Sequence, residues 1–343
     1  MFQRVFGSCG LLLLLALSGR AWQSQSPVLG SGLGIDHVGV AVRDLNATVE
    51  IYRNRLGFTI ADQGKHPGGT ANASVNFNNH QYLELITVYD RTLVAGPPAQ
   101  MIASFLDKHE GALFLGLRAS PIDQTAAYLR ARGFDIFGPT EGTWIPEGMK
   151  EIPPPGWKSV GFKKLPIPGG RIFFIEYINE DYWKKLEEKY PNLREDPTKK
   201  THANGALGVH AVWMAVKDLN EATKAYEAVG LMRGARMPLP TIGATAQEIR
   251  AGSNGTILLV SPNEPAGVTA RFLSDRGESA MGVSIEVQNL AKTQSVLKTG
   301  LQRDLAVYSG PYGKSLVVPG ELAAGAWIEF FEKDKLNKSA DSF

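Results

Sequence analysis

Two stretches of this chain carry the same alternation of apolar and polar positions, followed by the same helical stripe. Residues 35–58 read IDHVGVAVRDLNATVEIYRNRLGF, and residues 209–231 read VHAVWMAVKDLNEATKAYEAVGL. Residues 41–46 (AVRDLN) align with 215–220 (AVKDLN), and Tyr52 falls on Tyr226. The alternation over 35–42 predicts a strand with side chains on two faces. Leu45, Val49, Tyr52 and Leu56 then recur at spacings of four, three and four, one stripe of a helix. Asp44 or Asn46 can cap that helix and Gly57 can close it. A strand–helix unit stated twice predicts a duplicated architecture.

The rest of the pattern extends this reading. Strands are predicted at 59–62, 73–77 and 81–88, with a loop at 64–72 (GKHPGGTAN) between the first two. A second unit opens with a strand at 112–117, continues in a helix at 122–132 and closes with a strand at 171–178. The third unit is the second copy of the opening phrase and ends in a strand at 256–261. The fourth runs through a strand at 281–287, a helix at 290–298 and a strand at 326–331. The prediction is an α+β chain of four units in two halves, 33–182 and 205–333. The charged segment 183–204, with two prolines, reads as the linker, and His202 and Asn204 as its hinge. Residues 22–33, rich in Ser, Gln and Gly, read as a flexible leader.

Composition adds a compartment. The first residues give a basic start at Arg4, an apolar run over 11–17 and a small-residue exit at 18–21, which predicts a signal peptide over 1–21. The apolar run is far short of the roughly 20 residues needed to span a bilayer. The alternative is an uncleaved N-terminal anchor. The only cysteine, Cys9, lies in that segment, so the mature chain has no disulfides and relies on core packing. Removing 1–21 takes Arg4 and Arg20 from 36 basic residues, leaving 34 against 34 acidic ones. A neutral chain argues against nucleic acid or an anionic membrane as partner. The expectation is a secreted or periplasmic protein with a small-molecule substrate, monomeric or homodimeric.

Three groups of residues carry a resemblance: Asp36-His37-Val38 at the opening, the loop at 64–72, and Tyr82-Leu83-Glu84-Leu85. With the segment at 202–206 (HANGA), they resemble the glyoxalase-like domain family of the vicinal oxygen chelate superfamily. The resemblance implies βαβββ modules paired into half-open barrels, each wrapped around a metal or ligand. It leaves the reaction open, because that superfamily hosts lyases, isomerases, dioxygenases and plain binding proteins.

In superfamily members that bind metal, the ligands come from the first and last strands of paired modules. Alternation puts His37 with Gly39 and Ala41 on one face, where two small residues leave room beside an imidazole. Glu84 shares a face with Tyr82 and Ile86, and a carboxylate on an apolar strand needs a cation, a donor or a proton. Glu176 stands in the corresponding place on the closing strand of the second unit. His37, Glu84 and Glu176 are therefore the expected ligands of a divalent ion (Fe, Mn, Zn or Mg), with the fourth ligand missing at 112–114. The plainer reading makes both glutamates hydrogen-bond acceptors in a metal-free cup. His66 is a candidate acid or base and Asn72 a candidate substrate contact, against the alternative of a simple turn. In the second half His210 is one residue out of register with His37, on the predicted helix-packing parity, and Leu258 replaces Glu84.

Two functions follow. One is an exported metal-dependent enzyme of the lyase, isomerase or dioxygenase type, acting on a small oxygen-rich substrate with His66 nearby for proton transfer. The other is a metal-free protein that sequesters a small aromatic ligand of the bleomycin-resistance kind, with Tyr82 and Tyr177 in its wall.

Overall fold

A computed structural model describes residues 26–333 apart from residue 195; the segment predicted as a signal peptide lies outside the described residues. The first half contains strands β1 (Gly34–Ala41), β2 (Gln63–Lys65), β3 (Thr70–Asn76), β4 (Tyr82–Val88), β5 (Gly111–Arg118), β6 (Ile136–Gly142), β7 (Ile145–Pro146), β8 (Trp157–Phe162) and β9 (Arg171–Tyr177). Its helices are α1 (Leu45–Glu50), α2 (Gly96–Leu106), α3 (Ile122–Ala131) and α4 (Glu180–Lys189). The second half contains β10 (Ala206–Ala215), β11 (Met232–Leu239), β12 (Ala244–Arg250), β13 (Thr256–Pro262), β14 (Ser279–Val287), β15 (Tyr308–Gly310), β16 (Gly313–Val318) and β17 (Trp327–Lys333). Helices α5 (Leu219–Val229), α6 (Val268–Arg276) and α7 (Leu290–Leu301) complete it.

Each half is one curled sheet. The orders are β6-β8-β9-β5-β1-β4-β3-β2-β7 and β11-β12-β13-β10-β14-β17-β16-β15. The centres match: β1 and β5 are antiparallel and each has a parallel outer neighbour, as do β10 and β14. Four βαβββ modules thus pair two by two, an α+β fold of two half-barrels, as the repeat predicted.

The capping logic is the one the sequence offers. Asp44 accepts from Ala47 N at 2.9 Å, and its counterpart Asp218 accepts from Asn220 N and Glu221 N. Gly230 ends α5 in the left-handed region. Val38, Val40 and Val42 face the helices and join Tyr52, Leu56, Val212, Met214, Val216 and Tyr226 in one continuous core. That core lies between the backs of the two sheets, so the opposite, concave faces are left for binding. One end of the first concave face is closed by α2, whose Ile102 and Leu106 pack on Ala41, Ile86 and Phe114.

Three expectations change. Residues 59–62 are not a strand: Ala61 N and Asp62 O bond the Ser74 backbone, but β2 begins only at Gln63. Residues 26–33 of the expected leader are packed, with Val28 and Leu29 buried. Thr125 Oγ1 donates to Val28 O at 2.8 Å, Ser26 Oγ donates to Gly230 O, and Leu33 O accepts from Ser253 N, so 26–34 straps one half to the other. The charged linker begins inside α4, and the expected hinge is a splice. His202 Nδ1 accepts from Thr59 N at 3.0 Å, and its Nε2–H donates to Asn76 O at 3.1 Å. Asn204 donates to Leu56 O at 2.9 Å and is fully buried. Polar groups paired on both sides hold this segment in place.

Candidate functional site

The floor of the first concave face begins with an irregularity in β1. Ile35 pairs with Leu117 and His37 with Gly116, so residue 36 is an extra residue in the ladder. A bulge of this kind turns two successive side chains toward the same side. Asp36 therefore joins His37 on the concave face instead of pointing back into the helices. Asp36 Oδ1 accepts from His37 Nδ1 at 2.6 Å, and both residues are buried. Arg118 grips the other oxygen of Asp36 through Nε at 2.9 Å and Nη2 at 2.7 Å, and Tyr177 OH donates to Oδ1 at 3.0 Å. Burial alone pushes the Asp36 pKa up; the bond and charge of His37 and the charge of Arg118 outweigh it and hold the group below the ordinary value.

With Nδ1 held by Asp36, the outward nitrogen of His37 is Nε2, which lies 3.7 Å from Glu84 Oε2. Tyr82 stacks on the imidazole at 4.6 Å between centroids. Glu84 Oε1 accepts from Asn72 Nδ2 at 2.8 Å, and Asn72 Oδ1 accepts from Trp144 Nε1 at 2.9 Å. Both ends of the Asn72 amide are thus committed to positioning the carboxylate and an indole. His66 lies half-buried on the β2–β3 turn, with Nδ1 3.0 Å from Thr70 Oγ1 and its ring edge-on to Trp157. Burial lowers its pKa, with Glu84 acting in the opposite direction.

The register corrects the expected ligand set. Within the antiparallel centre His37 faces Gly116 and Gly39 faces Phe114, so the pseudo-twofold relates His37 to Phe114 and Gly39 to Gly116. Glu84 sits beside Gly39, and Phe173 sits beside Gly116. The counterparts of His37 and Glu84 are therefore Phe114 and Phe173, not Glu176. Both phenyl rings pack edge-on against His37, at 5.9 and 5.4 Å between centroids. A Cβ on Gly116 would run into the imidazole, and one on Gly39 into the Phe114 ring, so the two glycines make this aromatic cluster possible. Glu176 has the opposite parity. Its Oε1 accepts from Ser120 Oγ at 2.6 Å and Oε2 from Ile122 N at 3.0 Å, which makes it the cap of α3.

These residues do not fit a divalent ion. An ion at His37 and Glu84 would meet two phenyl rings where further donors are needed, and Asp36 is already paired with Arg118. Among the described residues, no three His, Cys, Asp or Glu side chains gather closely enough to hold a metal.

At the mouth of this face lies an open cleft of ≈ 390 Å³, bounded by Arg118, Trp144, Trp157, Tyr177 and the inner side of α4 with Trp183. Sequence reasoning missed Asp36, Arg118 and the three tryptophans. Each indole stands against a glycine: Trp144 on Gly64, Trp157 on Gly142 and Trp183 on Gly156. Only Gly142–Trp157 is a cross-strand register pair, and Trp183 comes from α4, so these contacts are readable only once the fold is known.

The second concave face is filled. Trp213, at the place of Gly39, is buried, and its Nε1 donates to Ser284 Oγ at 2.8 Å, which donates to Glu329 Oε2 at 2.6 Å. Burial raises the Glu329 pKa against the Ser284 hydrogen bond. Leu258 lies beside Trp213 as Glu84 lies beside Gly39, and Glu329 matches Phe173. His210 is not in the helix-packing core. A second bulge between Val209 and Ala211 turns it to the concave side, against Tyr312 and Phe331.

The profile of the glyoxalase-like domain family matches residues 35–230. No curated protein sequence matches the chain. Among solved structures, a triple mutant of 4-hydroxymandelate synthase from Streptomyces coelicolor is similar with a TM-score of 0.59 and 13% identity, over 88% of this chain and 93% of that one. A hypothetical protein from Staphylococcus aureus gives 0.54 and 11%, over 87% and 98%. Methylmalonyl-CoA epimerase from Mycobacterium tuberculosis gives 0.36 and 22%, over 39% and 93%. At these identities the first two establish the two-half fold alone.

Proposed function

We propose that this chain, which belongs to the glyoxalase-like domain family, is an exported small-molecule binding protein whose first half works without a metal ion. The wider superfamily includes metal-dependent enzymes, and this chain departs from them in its own residues. The carrying observation is the pair Phe114 and Phe173 at the register positions that mirror His37 and Glu84. They replace donors by an aromatic wall, and around it Asp36 is paired with His37, Arg118 and Tyr177, and Glu84 with Asn72. Asp36, Arg118 and Tyr177 fix the floor, Asn72 and Trp144 fix Glu84, and the cleft above lies within the roughly 300–1,000 Å³ typical of small-molecule sites. Export rests on the pattern of residues 1–21.

Small-molecule binding tested by calorimetry before and after exhaustive chelation examines this reading. Affinity unchanged by chelator supports it; affinity lost with chelator and restored by one added metal overturns it. A second reading is acid–base catalysis by His37 and Glu84, supported by their 3.7 Å approach with Nε2 turned toward the carboxylate. Turnover of a bound carbonyl compound that disappears in Glu84→Gln while binding persists would favour it.

A further inference from the structure

We infer that the cleft beside α4 takes a planar aromatic ligand bearing a carboxylate or a comparably strong acceptor, an inference that rests on the binding reading above. Four flat surfaces line the space: Trp144, Trp157, Trp183 and Tyr177. Their contact with glycine backbone packs the indoles closely against the sheet and leaves their other faces for stacking. A bicyclic aromatic fits within ≈ 390 Å³.

The polar groups at the inner end are donors. Trp183 Nε1 is buried and has no hydrogen-bond partner among the described residues, whereas Trp144 Nε1 is committed to Asn72. An indole N–H can only donate, so a ligand must supply an acceptor to satisfy it. Arg118 spends Nε and Nη2 on Asp36 and lies over the Tyr177 ring at 4.7 Å. Its side chain remains 27% exposed at the cleft, and its five-donor fork is not exhausted by one carboxylate. Of the two acids at the cleft, both on α4, Glu180 is on the rim, with its side chain 71% exposed and 4.0 Å from Lys184, and Glu187 is half-buried. The donors of Trp183 and Arg118 orient an anionic or carbonyl group toward themselves, with the ring between the indoles.

The test uses the whole mature chain and three naphthalenes that differ in one substituent: 2-naphthoate, 2-naphthylmethanol and 2-naphthyltrimethylammonium. Binding is read by calorimetry and by tryptophan fluorescence. The expected order places naphthoate about tenfold or more ahead of the alcohol, as for a charge-assisted hydrogen bond. Trp183→Phe keeps a ring and removes the N–H, and should weaken naphthoate about three- to tenfold while leaving the alcohol within about twofold. Lys184→Gln, on an exposed side chain, should weaken naphthoate modestly and serves if Trp183→Phe loses α4 by circular dichroism. The ammonium compound binding as well as naphthoate would convert the cleft to a cation cage and overturn the inference. No naphthalene bound at all, or naphthoate indifferent to both variants, also overturns it. Either result leaves metal independence standing, whereas naphthoate affinity that vanishes on chelation sinks the metal-independent reading itself.

Discussion

His202 pins the linker to the first half and makes stability pH-dependent in a specific window. Its neutral ring accepts from Thr59 N and donates to Asn76 O, with the edges of Phe58 and Phe77 packed around it. Protonation would put a proton on the nitrogen that accepts from Thr59, inside a site with only 4% exposure. Burial lowers the folded pKa from 6.5 to about 4. The folded state thus binds fewer protons than the unfolded chain throughout that interval. The stabilisation is complete above pH 6.5 and is lost progressively as pH falls to about 4. A difference of about 2.5 units at about 1.36 kcal/mol each gives about 3 kcal/mol. The assay is urea unfolding followed by tryptophan fluorescence, for wild type and His202→Gln, across that range. Gln offers a donor and an acceptor without titrating. Carboxylates titrate in both proteins, so the difference between the two isolates His202. Wild type should lose about 3 kcal/mol relative to the variant between pH 6.5 and pH 4. Parallel curves for the two proteins would refute the reasoning.

Other outcomes follow from the same structure. Asp36→Asn leaves Arg118 and His37 without their buried counter-charge and should cost about 3–5 kcal/mol in denaturant unfolding, more than any exposed ion pair here. Glu176→Gln should destabilise the fold by about 1 kcal/mol through weakening of the α3 cap, and leave ligand binding in the cleft unchanged. If Glu176→Gln abolished binding with stability intact, the placement of Glu176 outside the cup would be wrong. Gly64→Ala would drive a methyl into the Trp144 indole and should cost about 1–3 kcal/mol, with a change in tryptophan emission that Gly68→Ala, where a Cβ meets only ordinary contacts, does not produce.

The duplicated phrase made much of the fold readable. The valines of β1 and the stripe through Tyr52 and Leu56 state which face packs on which helix, and the second copy repeats them. The site was readable up to the first departure from strict alternation. One extra residue at position 36 reverses the parity that alternation assigns to it, which hid Asp36, and the same device at position 210 misplaced His210. The choice of Glu176 over Phe173 failed because the counterpart of Glu84 is set by cross-strand register, which no local pattern encodes. The strap at 26–34 and the splice at His202 depend on partners more than a hundred residues away, Gly230, Thr59 and Asn76 among them. Their Ser-, Gly- and Lys-rich composition therefore read as flexibility.

Metal content tests the central claim most directly. The protein, purified without chelator and then incubated separately with Fe, Mn, Zn and Mg, should carry far less than one equivalent of any of them by elemental analysis. It should acquire one only when Phe114→His and Phe173→Glu restore the missing donors. A full equivalent in the unaltered chain that disappears in Glu84→Ala would contradict the account, and would place a metal where two phenylalanines have been read as the wall of a cup.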